Sequence, residues 1–211
     1  MSEKQIIEKE EYAMNIQRLS AVLILAGFAI LVISGIVNVP GFYQTQDFAE
    51  RVRLVNQYRA LWNANMLLNY LAFLLTTVGV GLLSVHLWRS GASLSAALGA
   101  IAYAVGSVLY ALVIFSRNAD LLGYLEGKYP DYHAFGNWFV LAGLLLLGIA
   151  FLQAGMPTWL TYLTMGVALV LAAVLLIWPA FFFMIPFLAW GLLLVIGIVV
   201  LRRSSYKLVP G

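Results

Sequence analysis

Long apolar runs separated by short charged stretches set the plan of this chain. No Asp, Glu, Lys or Arg stands between Arg18 and Asp47, between Arg59 and Arg89, or between Arg89 and Arg117, and none from Tyr132 to Leu201. A helix crossing the hydrocarbon core of a bilayer uses about 20 apolar residues, so each gap holds at least one span. The pattern predicts six: 21–39, closed by Pro40 and Gly41; 65–87; 92–115; 137–154; 159–177, with Pro157 near its first turn; and 182–201, entered through "WPAFFF". The fold class expected is an all-α polytopic membrane helix bundle with six transmembrane helices.

Outside the spans the periodicity changes. Residues 1–20 mix Ile6, Ile7, Met14 and Leu19 with charges, the pattern of a surface amphipathic helix or a solvated tail. Phe48, Val52, Val55, Tyr58 and Trp62 recur every three to four residues among Glu50, Arg51, Arg53 and Gln57. That spacing is helical. With no Gly or Pro from Tyr43 to Val78, the helix is expected to run unbroken into span two, with Tyr58 and Trp62 at the interface. The chain thus divides into an N-terminal segment 1–20, a membrane domain 21–201 and a basic tail 202–211.

Composition sharpens this picture. The chain of 211 residues is 63% hydrophobic and 10% charged, against about 25% charged for soluble domains. Its net charge of +3 is spread over several loops, without the clustered patch that nucleic acid would need. It contains no cysteine, which removes disulfides, thiolate nucleophiles and Cys-ligated metal. The acidic N-terminus is a poor signal-peptide start, and the first span is expected to stay attached.

Six spans place both termini on one side. With the termini inside, seven basic residues (Lys4, Lys9, Arg18, Arg89, Arg202, Arg203, Lys207) face five outside (Arg51, Arg53, Arg59, Arg117, Lys128). The positive-inside rule then favours cytoplasmic termini in a cell membrane.

This topology gathers the polar side chains in one half of the bilayer. Asn65 and Asn69 lie one helical turn apart, and Thr76 continues their face. Tyr103, Ser107 and Tyr110 stack on span three, and Arg117 follows seven residues later. Asn38 closes span one, and Asn137 opens span four. Asn63 sits at the wet edge. Polar groups in lipid require partners. The cluster Asn65, Asn69, Tyr103, Tyr110, Arg117 and Asn137 is therefore either hydrogen-bonding glue, at about 0.6–2 kcal/mol per contact, or a pocket for a ligand. Ala92, Ala96, Ala100 and Ala104, at every fourth position of span three, form a close-packing face.

Catalytic chemistry finds little support. All nine acids lie outside the spans, so no intramembrane carboxylate pair is available for acid–base work or proton-coupled transport. His86 and His133 fall near opposite membrane faces, about 30 Å apart, and cannot share a metal or a haem. Asp120, Glu126, Asp131 and His133 share one loop and could bind a cation, but their wide spacing around Gly127 and Pro130 reads rather as solvated groups. No metal or cofactor is expected. Trp88, Trp138, Trp159, Trp178 and Trp190 read as an aromatic belt.

From "MPTWLTYLTMGVALVLAAVLLI" through "PFLAWGLLLVIGIVVLRR" the chain resembles a family of uncharacterised prokaryotic six-helix integral membrane proteins. There a Pro–Trp–Leu turn opens span five and a basic pair closes span six. The resemblance covers about the last 50 residues and implies the six-span fold but no activity. "FGNWFVLAGLLLLGIAFL" superficially resembles the third subunit of haem-copper oxidases. The chain lacks the histidines and intramembrane glutamate of such subunits, which rejects that assignment.

Three function classes follow. The first is a non-enzymatic module that binds or passes a small neutral or amphipathic molecule. The second is an accessory subunit docked to a membrane-protein partner, or a homo-oligomer. An enzyme is the third and the least supported. The lipid bilayer is the expected surrounding, and nucleic acid is not a partner.

Overall fold

The structure, a computed structural model, describes residues 3–130 and 132–206. Those residues form α1 (Glu3–Ile36), α2 (Phe48–Gln57), α3 (Arg59–Arg89), α4 (Ser93–Ala119), α5 (Leu121–Leu125), α6 (Tyr132–Gln153), α7 (Thr158–Ile177), a 3₁₀ turn (Pro179–Phe183) and α8 (Ile185–Tyr206). Six of these helices are long and apolar enough to cross a membrane: Met14–Ile36 of α1, all of α3, α4, α6 and α7, and Ile185–Ser204 of α8. Each packs on the next in the order α1, α3, α4, α6, α7, α8, and α8 returns to α1. Below, the end of the bundle remote from both termini is called distal.

Span one starts earlier than its hydropathy suggests. Nothing breaks the helix at Ser20, whose hydroxyl donates back to the Gln17 carbonyl at 2.7 Å. Gln17 is itself buried and donates to the carbonyl of Val200 on α8. The side chains of residues 1–13, Phe183, Ser205 and Tyr206, together with Asp131 and the tail from Lys207 onward, lie outside the described residues.

Glycine, rather than alanine, sets the closest helix approaches. Without a hydrophobic force between spans, association depends on backbone proximity and van der Waals contact. On the α4–α6 contact, a Cβ added at Gly143 would meet Tyr103 N at 2.8 Å and Gly99 O at 2.9 Å. One added at Gly106 would meet Gly136 O at 2.9 Å. Gly27 and Gly79 play the same part between α1 and α3. Of the alanine stripe, Ala92 and Ala96 are buried inside the chain while Ala100 and Ala104 are half-buried. Ser84 of α3 donates to the Ala96 carbonyl at 2.6 Å, so this part of the stripe is used within the monomer.

The expected continuous helix from 48 into span two breaks at Tyr58, whose φ of −112° and ψ of 38° leave the helical region. Neither Gly nor Pro causes this; tertiary packing overrides local propensity. The break lets Val55 join Val39, Phe42, Trp62, Met66 and Leu121 in a second apolar cluster over the distal end. Trp62, expected at the interface, is only 1% exposed and donates from Nε1 to Asn118 Oδ1 at 3.2 Å. Trp190 is likewise buried in the main core, whereas Trp88, Trp138, Trp159 and Trp178 remain exposed as a belt would require.

Three of the helix ends are finished by glycine. Gly91, Gly127 and Gly155 adopt positive φ after α3, α5 and α6. At each, the next residue's N–H reaches back five positions, as Met156 does to the Phe151 carbonyl at 2.9 Å. This arrangement satisfies the orphan carbonyls of a helix C-terminus. The end of α1 has no such glycine cap.

Candidate functional site

A partner from another helix finishes α1 instead. The Asn65 side-chain amide on α3 donates to the carbonyls of Ser34 at 2.6 Å and Val37 at 2.7 Å. Asn69, one turn along, donates to both the backbone and the side-chain oxygen of Asn65. Asn65 has thereby committed both of its N–H donors. Asn63 is exposed.

Next to this network lies a cavity of about 370 Å³ between the distal ends of α1, α3, α4 and α8. That is near the lower end of the range for ligand pockets, about 300–1,000 Å³. Asn38, Tyr43 and Arg117 mark its mouth, and Leu31, Phe73 and Trp190 its floor. Seven residues of helix separate Arg117 from Tyr110, so the depth is about 10 Å.

An aromatic ladder forms one wall and the floor. Trp190 meets Phe73 edge-on at 5.1 Å, and Phe73 stacks on Tyr110 at 5.2 Å. Tyr110 meets His133 edge-on, and His133 meets Phe182 in the same way. Such arrangements contribute about 0.5–1.5 kcal/mol each beyond burial. The ladder links α8, α3, α4, α6 and the 3₁₀ turn.

Asn137 pins this wall from behind. It accepts a hydrogen bond from the Tyr110 hydroxyl through Oδ1 and donates from Nδ2 to the Phe182 carbonyl at 2.9 Å. It is fully buried and does not line the cavity. Tyr103 lies about two turns further in than Tyr110, its hydroxyl beside those of Thr76 and Ser107 but without a well-formed protein hydrogen bond. It too stays out of the cavity.

Arg117 supplies the charge. Its guanidinium carbon sits 5.5 Å from the centre of the Trp62 ring and 5.7 Å from that of Tyr124. Aromatic faces hold a cation by their quadrupole and supply no anionic acceptor. The Nε atom is buried without a hydrogen-bond partner. Among the described residues, ion pairs join Arg53 to Glu50 and Lys128 to Glu126, and none involves Arg117.

Of the six polar residues singled out from sequence, Asn65, Asn69, Tyr110 and Arg117 line the cavity, while Asn137 and Tyr103 stand behind it. Gly35, Ser34, His133, Phe187 and Trp190 were not anticipated as lining. His133 could have been found from its position one turn before Asn137. Trp190 carried a hint in lying several residues inside span six rather than at its end. Among the described residues no three His, Cys, Asp or Glu side chains gather as a metal site would require.

The cavity also has a side opening. Gly35 is exposed and a Cβ there would meet nothing within 4 Å, while Phe187 opposite is 61% exposed. Both line the cavity, so it opens between α1 and α8 toward the surface of the bundle. Nearer the termini the two helices close up, with Gly197 against Leu25.

No family model, curated protein or solved structure matches this chain.

Proposed function

We propose that this chain is a non-enzymatic membrane module that binds or passes a small neutral or amphipathic molecule in the distal cavity. We place it in the cell membrane with both termini cytoplasmic, in line with the seven-to-five distribution of basic residues. The observation that carries the reading is the graded lining: polar groups and one cation at the mouth, apolar and aromatic groups at the floor, and a side opening toward lipid. Ligand sites are mostly apolar with a few placed polar groups, and this cavity has that form.

Native mass spectrometry of protein extracted gently from its own membrane tests the reading. A stoichiometric small molecule or lipid is expected on the wild type. Gly35→Phe should remove it, since Gly35 lines the side opening, where an added Cβ meets nothing within 4 Å and leaves the ring room to obstruct the opening. A wild type that flies bare overturns the proposal.

A second reading, an accessory subunit, draws on a different surface. α7 and α8 flank an open apolar groove of about 580 Å³ along Leu163, Gly166, Val170, Gly191 and Val195. Adding a Cβ at Gly166 or Gly191 would meet nothing within 4 Å. Co-eluting protein subunits, lost on Gly191→Phe, would favour this reading. The alanine stripe is a poorer docking surface because half of it is buried within the chain.

A further inference from the structure

We infer that the molecule taken by the distal cavity is an anionic amphiphile, with a phosphate or carboxylate head at Arg117 and an apolar tail leaving between Gly35 and Phe187. The inference rests on the proposed binding function and names the chemical class of the ligand.

Three observations carry it. First, the cavity is lined by one cation, Arg117, and by no Asp or Glu among the described residues. A buried or half-buried charge is expensive unless paired, yet the two neighbours of this guanidinium are the rings of Trp62 and Tyr124. Second, further donor capacity lies at the same level. Asn38 uses its side-chain oxygen to accept the Val39 N–H at 2.8 Å, which leaves its NH₂ group as a donor at the mouth. Anionic oxygens meeting guanidinium and amide N–H groups form the stronger, charge-assisted class of hydrogen bond.

The third observation concerns the tail. Phe73, Trp190 and Leu31 offer a mainly apolar floor about two helical turns below Arg117. Such a surface gives nothing to a free inorganic anion. The side opening lets a chain longer than the cavity continue along the outside of the bundle, where lipid tails lie. A volume of about 370 Å³ therefore encloses the head and the first part of the tail, not a whole two-chain lipid.

Binding to the full-length chain in phosphatidylcholine nanodiscs tests this. The probes are radiolabelled dodecyl phosphate and dodecanol, which share a tail, with inorganic phosphate as competitor and empty nanodiscs subtracted. Wild type should bind dodecyl phosphate about tenfold to a hundredfold more tightly than dodecanol, the range for a hydrogen-bonded charge. Arg117→Gln should bring the two to near parity. Gly35→Asp, which places a like charge at the cavity edge where a Cβ meets nothing within 4 Å, should weaken dodecyl phosphate more than dodecanol and so shrink the preference, and serves if the Arg117 variant does not fold.

Equal binding of the two probes by wild type would overturn the inference and leave the binding function standing. So would an undiminished preference in both variants. Inorganic phosphate competing at concentrations similar to dodecyl phosphate would overturn the assignment of a tail. Binding of neither probe would overturn this inference, whereas a bare wild type in native mass spectrometry would overturn the binding function itself.

Discussion

Asn65 on α3 holds the Ser34 carbonyl of α1 at 2.6 Å, and with the same amide nitrogen holds Val37. One side chain therefore closes a helix that ends without glycine. The same bond sets the wall of the cavity, because Ser34 and Asn65 both line it.

Asn65→Leu should consequently act on stability before it acts on binding. It leaves two helix-end carbonyls without their donor, a loss of about 1–3 kcal/mol. Asn65→Asp should be at least as damaging, since it sets a carboxylate against carbonyl oxygens. Thermal unfolding in detergent measures both, and an unchanged midpoint for Asn65→Leu would contradict the capping role.

The glycine contacts yield a contrast. Gly143→Ala puts a methyl group 2.8–2.9 Å from backbone atoms of Tyr103 and Gly99, which cannot yield as a flexible side chain does. The helices must separate, at about 1–3 kcal/mol. Gly166→Ala meets nothing and should be neutral or stabilising by up to about 1 kcal/mol through helix propensity. Equal melting temperatures for the two variants would count against glycine-set packing.

Tyr110→Phe separates the hydroxyl from the ring. The bond to Asn137 disappears while the contacts to Phe73 and His133 persist. A stability loss of about 0.6–2 kcal/mol is expected, with the small-molecule adduct in native mass spectra retained. Loss of the adduct without loss of stability would assign the hydroxyl to the ligand instead.

Topology is directly testable because the chain has no cysteine. Ser90 and Gln46 are exposed on loops at opposite ends of the bundle. In intact cells, a membrane-impermeant thiol reagent should label Gln46→Cys and spare Ser90→Cys. The reverse pattern would invert the proposed orientation.

The spans were legible because charge is excluded from them so completely, and the polar cluster was legible because Asn and Tyr side chains stand out against Leu and Val. What could not be read depended on neighbours. The break at Tyr58 has no local breaker; it comes from Val55 and Trp62 joining the distal apolar cluster. Trp62 and Trp190 have the composition of a belt and the position of a core. Asn65 and Asn69 are alike in sequence, yet the donors of Asn65 close α1 whereas those of Asn69 bond back to Asn65. That difference is set by where α1 ends, which lies about thirty residues away.

The separation matters during synthesis. The carbonyls of Ser34 and Val37 precede their donor by 31 and 28 residues. When α1 first enters the bilayer, its distal end has no donor of its own, and unpaired carbonyls are poorly tolerated in hydrocarbon. Only after α3 follows can that end be sealed, with Gly27 and Gly79 letting the two backbones close together. The first two spans are thus expected to insert as a hairpin committed as a pair, with the Asn65 amide as its clasp.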